Sequence, residues 1–289
     1  MFEDCKKYWL FFITVLLLVT NIFLLHLDLQ NSDKNLTFAM LNVGQGDGLF
    51  IKSPTGTQIM FDGGPVHSVL GPLQKVISPF NKKIAALVIT NPDSDHIGGF
   101  LDILKNYKVG EVFESGTLTD SKTYQNLRDE MKKQNIPDIL VKKGMRLDIG
   151  GGSYISILFP DRDVSSWATN DGSVVAKLFY GKTSVMLTGD APIKTEQIIL
   201  SENSKTELAS TVLKVGHHGS RTSTSTNFVK TVSPIDALIS DGKDNKYGHP
   251  HQETLDTLNS FGVKILRTDV LGTIVMKSDG QKVAFSFAK

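Results

Sequence analysis

Residues Ile84–Gly99, IAALVITNPDSDHIGG, decide how the rest of the chain is read. Ile84–Ile89 is a short, continuous apolar run, the pattern of a buried strand. The polar run after it, Asn91-Pro92-Asp93-Ser94-Asp95-His96, sets two carboxylates and an imidazole together, just ahead of a helix expected from about Ile97 to Tyr107. Like charges packed this closely repel, and the arrangement calls for a compensating cation. Gly98 and Gly99 let the backbone pass close to whatever sits there. The plainer reading is a helix N-terminus with acidic residues in its first turn. That reading loses weight because other strands end the same way.

Asp62 follows the apolar run TQIMF, Asp190 follows SVMLTG, His217-His218-Gly219-Ser220 follows VLKVG, and Tyr247-Gly248-His249-Pro250-His251 comes shortly after IDALIS. Strand ends and the loops leaving them are where α/β-type folds collect reactive groups. Asp190 suits a carboxylate bridging two ions, and equally a helix cap, since Ala191-Pro192 opens an expected helix. Two adjacent histidines followed by Gly-Ser favour a site over a packed core histidine. His249 and His251 lie in a stretch too polar for the core and suit proton donation or phosphate contact.

Working outward, LTFAMLNV, GLFIKS and TQIMFDG read as early strands, the last two joined by the turn Ser53-Pro54-Thr55-Gly56. Helices are expected over about 68–78, 97–107, 123–134 and from Gln252; further strands are expected at VGEVF, RLDIG, YISILFP, SVVAKLFYG, TSVMLTG, STVLKVG, IDALIS, VKILRT, GTIVMKS and KVAFSFA. Hairpin-linked strands first and helix-linked strands later fit an α+β fold of two packed mixed sheets with helices outside. The 289 residues suffice for a sizeable core. A net charge of +1 gives no global argument for a nucleic-acid partner. The single cysteine, Cys5, excludes an intrachain disulfide and a thiolate metal cage.

The N-terminal run YWLFFITVLLLVTNIFLLHL, residues 8–27, has the length of one membrane-spanning helix. No small-residue cleavage site follows it, so it reads as an uncleaved anchor. Lys6 and Lys7 before it, against Asp28 and Asp33 after it, put the N-terminus in the cytoplasm. The expected organisation is a cytoplasmic stub (1–7), an anchor (8–27), a linker (28–35) and an extracytoplasmic domain (36–289) on a single-pass protein of the cell membrane.

Taken in order, LNVGQGDG, FDGGP, VITNPDSDHIGGF, NDGSVVAKL, LTGDA, LKVGHHGSRTSTS and YGHPH resemble the C-terminal metallo-β-lactamase-type domain of the ComEC competence proteins, over about residues 36–288. The resemblance implies an αββα sandwich with one or two divalent ions (manganese, zinc or magnesium) at one edge. It assigns Asp93 to one ion and Asp95 and His96 to the other, with Asp190 bridging. His217 completes the second position, with His218 as its alternate. Asp62 holds the metal loop from behind. Asp95, His249 and His251 are the candidate catalytic groups, and Ser220 a candidate contact to substrate.

The chain departs from the family pattern where Asn91 stands in place of a histidine, and Asn170 replaces another histidine of the wider fold. The first ion position would then be oxygen-rich, with Asn91, Asp93 and Asp190 as candidates, and better suited to manganese or magnesium than to zinc. One firm and one labile position are expected. The implied activity is that of a membrane-anchored phosphodiesterase or nuclease acting on DNA, with a separately encoded DNA channel as partner. The alternatives are a hydrolase of another surface phosphate ester, or a non-catalytic binding module in which Asn91 marks lost activity. A nuclease is expected to carry a positive track at its rim.

Overall fold

A computed structural model of the chain describes residues 2–30 and 34–288, with side chains described for 8–23 and 34–288. The chain divides into two units between Lys34 and Asn35. The first unit holds the helix Phe2–Gln30, whose described side chains, residues 8–23, are all exposed and mostly apolar. Among the described residues no helix is long and apolar enough to cross a membrane. The linker expected over 28–35 falls in part on residues 31–33, outside the described residues, as does Met1 of the expected stub.

The second unit carries β1 (Leu36–Met40), β2 (Gly48–Lys52), β3 (Gln58–Gly63), β4 (Lys83–Ile89), β5 (Lys108–Glu114), β6 (Asp138–Leu140), β7 (Arg146–Gly150), β8 (Ser153–Phe159), β9 (Val175–Tyr180), β10 (Thr183–Leu187), β11 (Val212–Lys214), β12 (Asp236–Ile239), β13 (Lys264–Arg267), β14 (Thr273–Ser278) and β15 (Val283–Ala288). They form two sheets, ordered β15-β14-β1-β2-β3-β4-β5-β6 and β13-β12-β11-β10-β9-β8-β7. Both are mixed. The hairpin-linked strands β1, β2 and β3 pair antiparallel, whereas β3, β4 and β5, joined through helices, pair parallel. In the second sheet β7 to β10 are antiparallel and β10 to β13 parallel.

Side-chain alternation builds the layers. Phe38 and Met40 of β1 point between the sheets, among Phe61, Val88, Ile157, Leu178 and Leu187. Ala39 and Leu41 point the other way, under Ile97, Phe100, Ile103 and Leu127 of the outer helices. A third apolar cluster packs Ile199, Phe228, Val229 and Leu258 of the opposite helices onto β11 and β12. The central strands β1, β3, β10, β11 and β12 are buried on both faces, which is why they read as continuous apolar runs. The result is the αββα sandwich that the strand order predicts.

Two local departures from the expected elements shape the loops at the edge of the sandwich. The helix expected from Ile97 to Tyr107 is two, Ser94–Ile97 and Phe100–Asn106. The ladder breaks at Gly98-Gly99 because Gly99 N donates to Gly64 O at 2.9 Å and Asp95 O accepts from Asp47 N at 3.2 Å; only glycine fits at 99, where a Cβ would lie 2.0 Å from Gly63 O. The Ser/Thr-rich stretch after Ser220 also continues into a helix, Thr226–Val232, capped by Ser225 Oγ accepting from Phe228 N at 3.3 Å.

Phe38 is fully enclosed between the sheets. Phe38→Ala should cost about 3–5 kcal/mol of stability through lost burial and a residual cavity, measured by urea unfolding. Leu118→Ala, at an exposed loop position, should stay within about 0.5 kcal/mol.

Candidate metal centre

The parallel strands β3, β4, β10, β11 and β12 deliver their C-terminal ends, and the loops leaving them, to one edge of the sandwich. At the end of β3, Asp62 adopts a left-handed backbone (φ 53°) and turns its carboxylate onto the β4 exit. It accepts from Thr90 N at 2.9 Å and Thr90 Oγ1 at 2.5 Å, and lies 2.8 Å from His96 Nδ1. The Nδ1 proton of buried His96 therefore goes to Asp62, which aims Nε2 at Asp190 Oδ2, 3.1 Å away. This is the carboxylate–imidazole pairing that fixes the tautomer of a metal-ligating histidine.

Asp190 leaves β10 through Gly189, which is left-handed at φ 50°. After β11, His217 (φ 47°, ψ 49°) and His218 (φ 54°, ψ 25°) both occupy the left-handed region. Two successive non-glycine residues there store strain of order 1–3 kcal/mol each, a cost found mostly at functional sites. The kink points the two rings differently. His218 is buried, with Nδ1 3.0 Å from Ser240 O and Nε2 3.6 Å from both Asp95 Oδ2 and Asp190 Oδ2. His217 is partly exposed, with Nε2 3.7 Å from Asp190 Oδ2 and Nδ1 3.2 Å from Thr222 Oγ1.

Ligand-type atoms of Asp95, His96 and His218 all lie within 4.8 Å of one another, as do those of Asp47, Asp190 and His218, and those of Asp47, Asp62 and His96. His96 Nε2, His218 Nε2 and Asp190 Oδ1 are buried and make no hydrogen bond. Polar atoms converging without partners in a buried acidic pocket fit a cation. The charge balance agrees. Burial disfavours the imidazolium of His96, yet Asp190 and Asp62 hold its pKa well above the ordinary value. Against the same burial, Asp190 and Asp47 raise His218 to about 10. Burial acts to raise Asp190, but His96 and His218 hold it well below the usual carboxylate range.

The first ion position is built differently. Buried Asn91 accepts from Asp93 N at 3.0 Å through its Oδ1, and its Nδ2 faces Ser173 Oγ at 3.5 Å. Asp93 Oδ2 accepts from Thr169 Oγ1 at 3.0 Å. Asp93 joins none of the three clusters of ligand-type atoms found among the described residues. Asn170 Oδ1 is buried and unpaired.

The remaining candidates lie along one wall. His249 sits 5.7 Å from His217 and 6.3 Å from His218, ring centre to ring centre. Burial, with His218 and His217 beside it, depresses its pKa to about 4, so it is a neutral ring at pH 7 rather than a charged donor. His251 stands at the N-cap of the helix Gln252–Ser260 and accepts from Arg221 N at 3.1 Å. Ser220 is buried, and its hydroxyl is committed to Thr222 within its own loop. It shapes the turn instead of facing solvent. Two site residues escaped the sequence reading: Asp47, in the Gly-Gln-Gly-Asp-Gly turn, and Lys214, at the end of β11. Both are fully buried and ion-paired to each other.

Residues 41–240 match the metallo-β-lactamase superfamily, and the chain belongs to it. ComE operon protein 3 of Bacillus subtilis (strain 168) is 32% identical over 265 residues, covering 86% of this chain and 34% of that protein. Competence protein ComA of Neisseria gonorrhoeae is 27% identical over 234 residues, covering 81% and 31%. The chain spans about a third of the length of these competence-related relatives. Among solved structures, a metallo hydrolase from the hyperthermophilic archaeon Ignicoccus hospitalis matches with a TM-score of 0.53 at 15% identity, covering 88% of this chain and 100% of that one. At that identity the likeness concerns the fold alone.

Because His96 and His218 hold protons above neutral pH, an entering divalent ion has to displace them. Affinity for zinc should therefore rise with pH through the neutral range, and binding at pH 7 should release protons. Calorimetry in buffers of different ionisation enthalpy reads that release directly. Binding with no net proton release would show that the two imidazoles are neutral beforehand.

Proposed function

We propose that the chain is a membrane-anchored, divalent-metal-dependent phosphodiesterase that cleaves DNA in the course of DNA uptake. The observation that carries this reading is that His96 and His218 face the carboxylates of Asp190 and Asp95 at 3.1–3.6 Å at one edge of a metallo-β-lactamase-superfamily fold. The substrate class rests on the ComEC-type relatives.

Asp95, His96, His218 and Asp190 would hold the firmer ion, and Asn91, Asp93 and Asp190 the oxygen-rich first position, suited to manganese or magnesium. A bound divalent ion supplies Lewis acidity toward a phosphoryl oxygen and makes water a usable nucleophile at neutral pH. The chain's own groups orient that chemistry. Asp62 fixes the direction of His96, and the Asp190 carboxylate faces His217 at the half-open side where substrate would enter. His217 and His249 line this entrance as neutral rings, disposed to hydrogen-bond a phosphate or its leaving group rather than to pair with it as cations. Burial and neighbouring charges lower the pKa of both. The apolar run from Tyr8, preceded by Lys6 and Lys7, supports an anchor with the hydrolase unit outside the cytoplasm. A separate channel protein is the partner in this reading.

The test is an assay of residues 35–289 on single- and double-stranded DNA and on bis-p-nitrophenyl phosphate, with manganese, magnesium or zinc. DNA cleavage should appear with manganese and fall by at least about 100-fold in Asp190→Ala, the scale expected when a transition-state electrostatic contact is removed. Asn91→His should raise activity at limiting metal by strengthening the first position. A chain that binds metal yet turns over no DNA, as parent or as Asn91→His, would sink the nuclease reading. The full chain should sediment with membranes and a chain lacking residues 1–34 should not; recovery of both in the soluble fraction would remove the anchor.

A further inference from the structure

Beneath the ion-holding groups lies a buried ion pair. Asp47 and Lys214 are fully enclosed, and neither Asp47 oxygen takes a hydrogen bond from any amide or hydroxyl. The Asp47 partners are the Lys214 ammonium on Oδ2 and His218 Nδ1, 3.5 Å from Oδ1. Lys214 also donates to Gly189 O at 2.8 Å and stands 3.9 Å from Asp190 Oδ1. The Asp47 backbone ties in the remaining loops: its N–H donates to Asp95 O at 3.2 Å, and its carbonyl accepts from Gly64 N at 2.6 Å. One pair thus touches the loops that carry Asp62, Asp95, Asp190 and His218.

Stability alone is a poor account of it. Desolvating two charges offsets most of their attraction, and apolar side chains of similar volume commonly serve a core as well or better. The directions of the contacts point elsewhere. His218 Nδ1 faces two acceptors, Asp47 Oδ1 and Ser240 O. With a proton held there, Nε2 is left facing Asp95 and Asp190.

We propose that Asp47 and Lys214 are positioning residues for the ion-binding groups. Asp47, 3.5 Å from His218 Nδ1, supplies the negative charge that favours the Nδ1–H form and ring orientation in which His218 donates to Ser240 O. Lys214 offsets the Asp47 charge and anchors the Gly189–Asp190 turn, so that imidazole and carboxylate face a single point. The inference rests on the metal-centre reading and is independent of the substrate.

The test compares the full chain with the double variant Asp47→Leu/Lys214→Met, which exchanges the pair for apolar side chains. Zinc affinity is measured by competition with a chromophoric chelator, and thermal stability on the metal-free protein. The double variant should keep the parental melting temperature to within a few degrees, yet bind zinc roughly 10–100-fold more weakly, the usual effect of losing a group that orients a ligand. In nitrogen-15 spectra of the zinc-loaded parent, the His218 Nδ1–H proton should exchange slowly; in the double variant it should exchange fast. Should the double variant not fold, Asp47→Asn serves, with a loss of about tenfold or more in affinity expected. Zinc affinity within threefold of the parent in the folded variant overturns the inference alone. A parent that binds no zinc overturns the metal-centre reading and this inference with it.

Discussion

Asp47, Asp62, Asp95 and Asp190 crowd one edge of the sandwich, three of them fully buried, and the unit can exist only if that negative charge is balanced on the spot. Isolated buried carboxylates are costly beyond any stabilisation a domain of this size has to spare. The balance comes from three cations or cation-forming groups set among them: Lys214, His96 and His218. The pKa directions express the same balance, with both imidazoles raised and Asp190 lowered. Protons on His96 and His218 and a divalent ion are thus alternative occupants of one electrostatic role. A pocket with so much negative charge is a metal site in the making before any ion is considered.

The backbone is shaped around that charge. Asp47 N donates to Asp95 O, Gly64 N to Asp47 O, and Gly99 N to Gly64 O, so three loops from distant parts of the chain are laced together. The lacing needs close approach. A Cβ on Gly46 would fall 2.2 Å from Asp95 O, and the backbone there, at φ 141°, already disfavours a side chain. The layered cores on either side supply the rigid walls. With β3, β4 and the outer helices fixed by Phe61, Val88, Ile97 and Phe100, the loops cannot relax apart under the repulsion they carry.

This arrangement also explains what was legible in the sequence. Asp95, His96 and Asp190 follow apolar strands directly, so the strand-end rule finds them, and the switch from hairpins to helix-linked strands gives two mixed sheets. Asp47 was hidden because an aspartate among glycines reads as an ordinary turn. Lys214 was hidden because a lysine at a strand end reads as solvated; only the parallel pairing of β10 with β11 carries it beneath Gly189. Nor does sequence separate His217 from His218. Their facing is set by two consecutive left-handed residues, a conformation that no propensity anticipates. Ser220 has the right chemistry for substrate, but its hydroxyl is spent within the loop that presents the histidines, and His251 holds that loop through Nδ1.

The same contacts leave the two groups of candidate ligands unequally prepared for an ion. At the histidine end both imidazoles are already oriented from behind, His96 by Asp62 and His218 by Ser240 O and Asp47, and their Nε2 atoms face only the carboxylates of the centre. At the asparagine end the donors are turned on one another. Asn91 Oδ1 holds Asp93 N, and Asp93 Oδ2 holds Thr169 Oγ1. An ion entering there would first have to compete with two local hydrogen bonds, each contributing about 1 kcal/mol net, and would gain only neutral amide oxygens and shared carboxylates in return. The histidine end is therefore preorganised for an ion and the asparagine end is not.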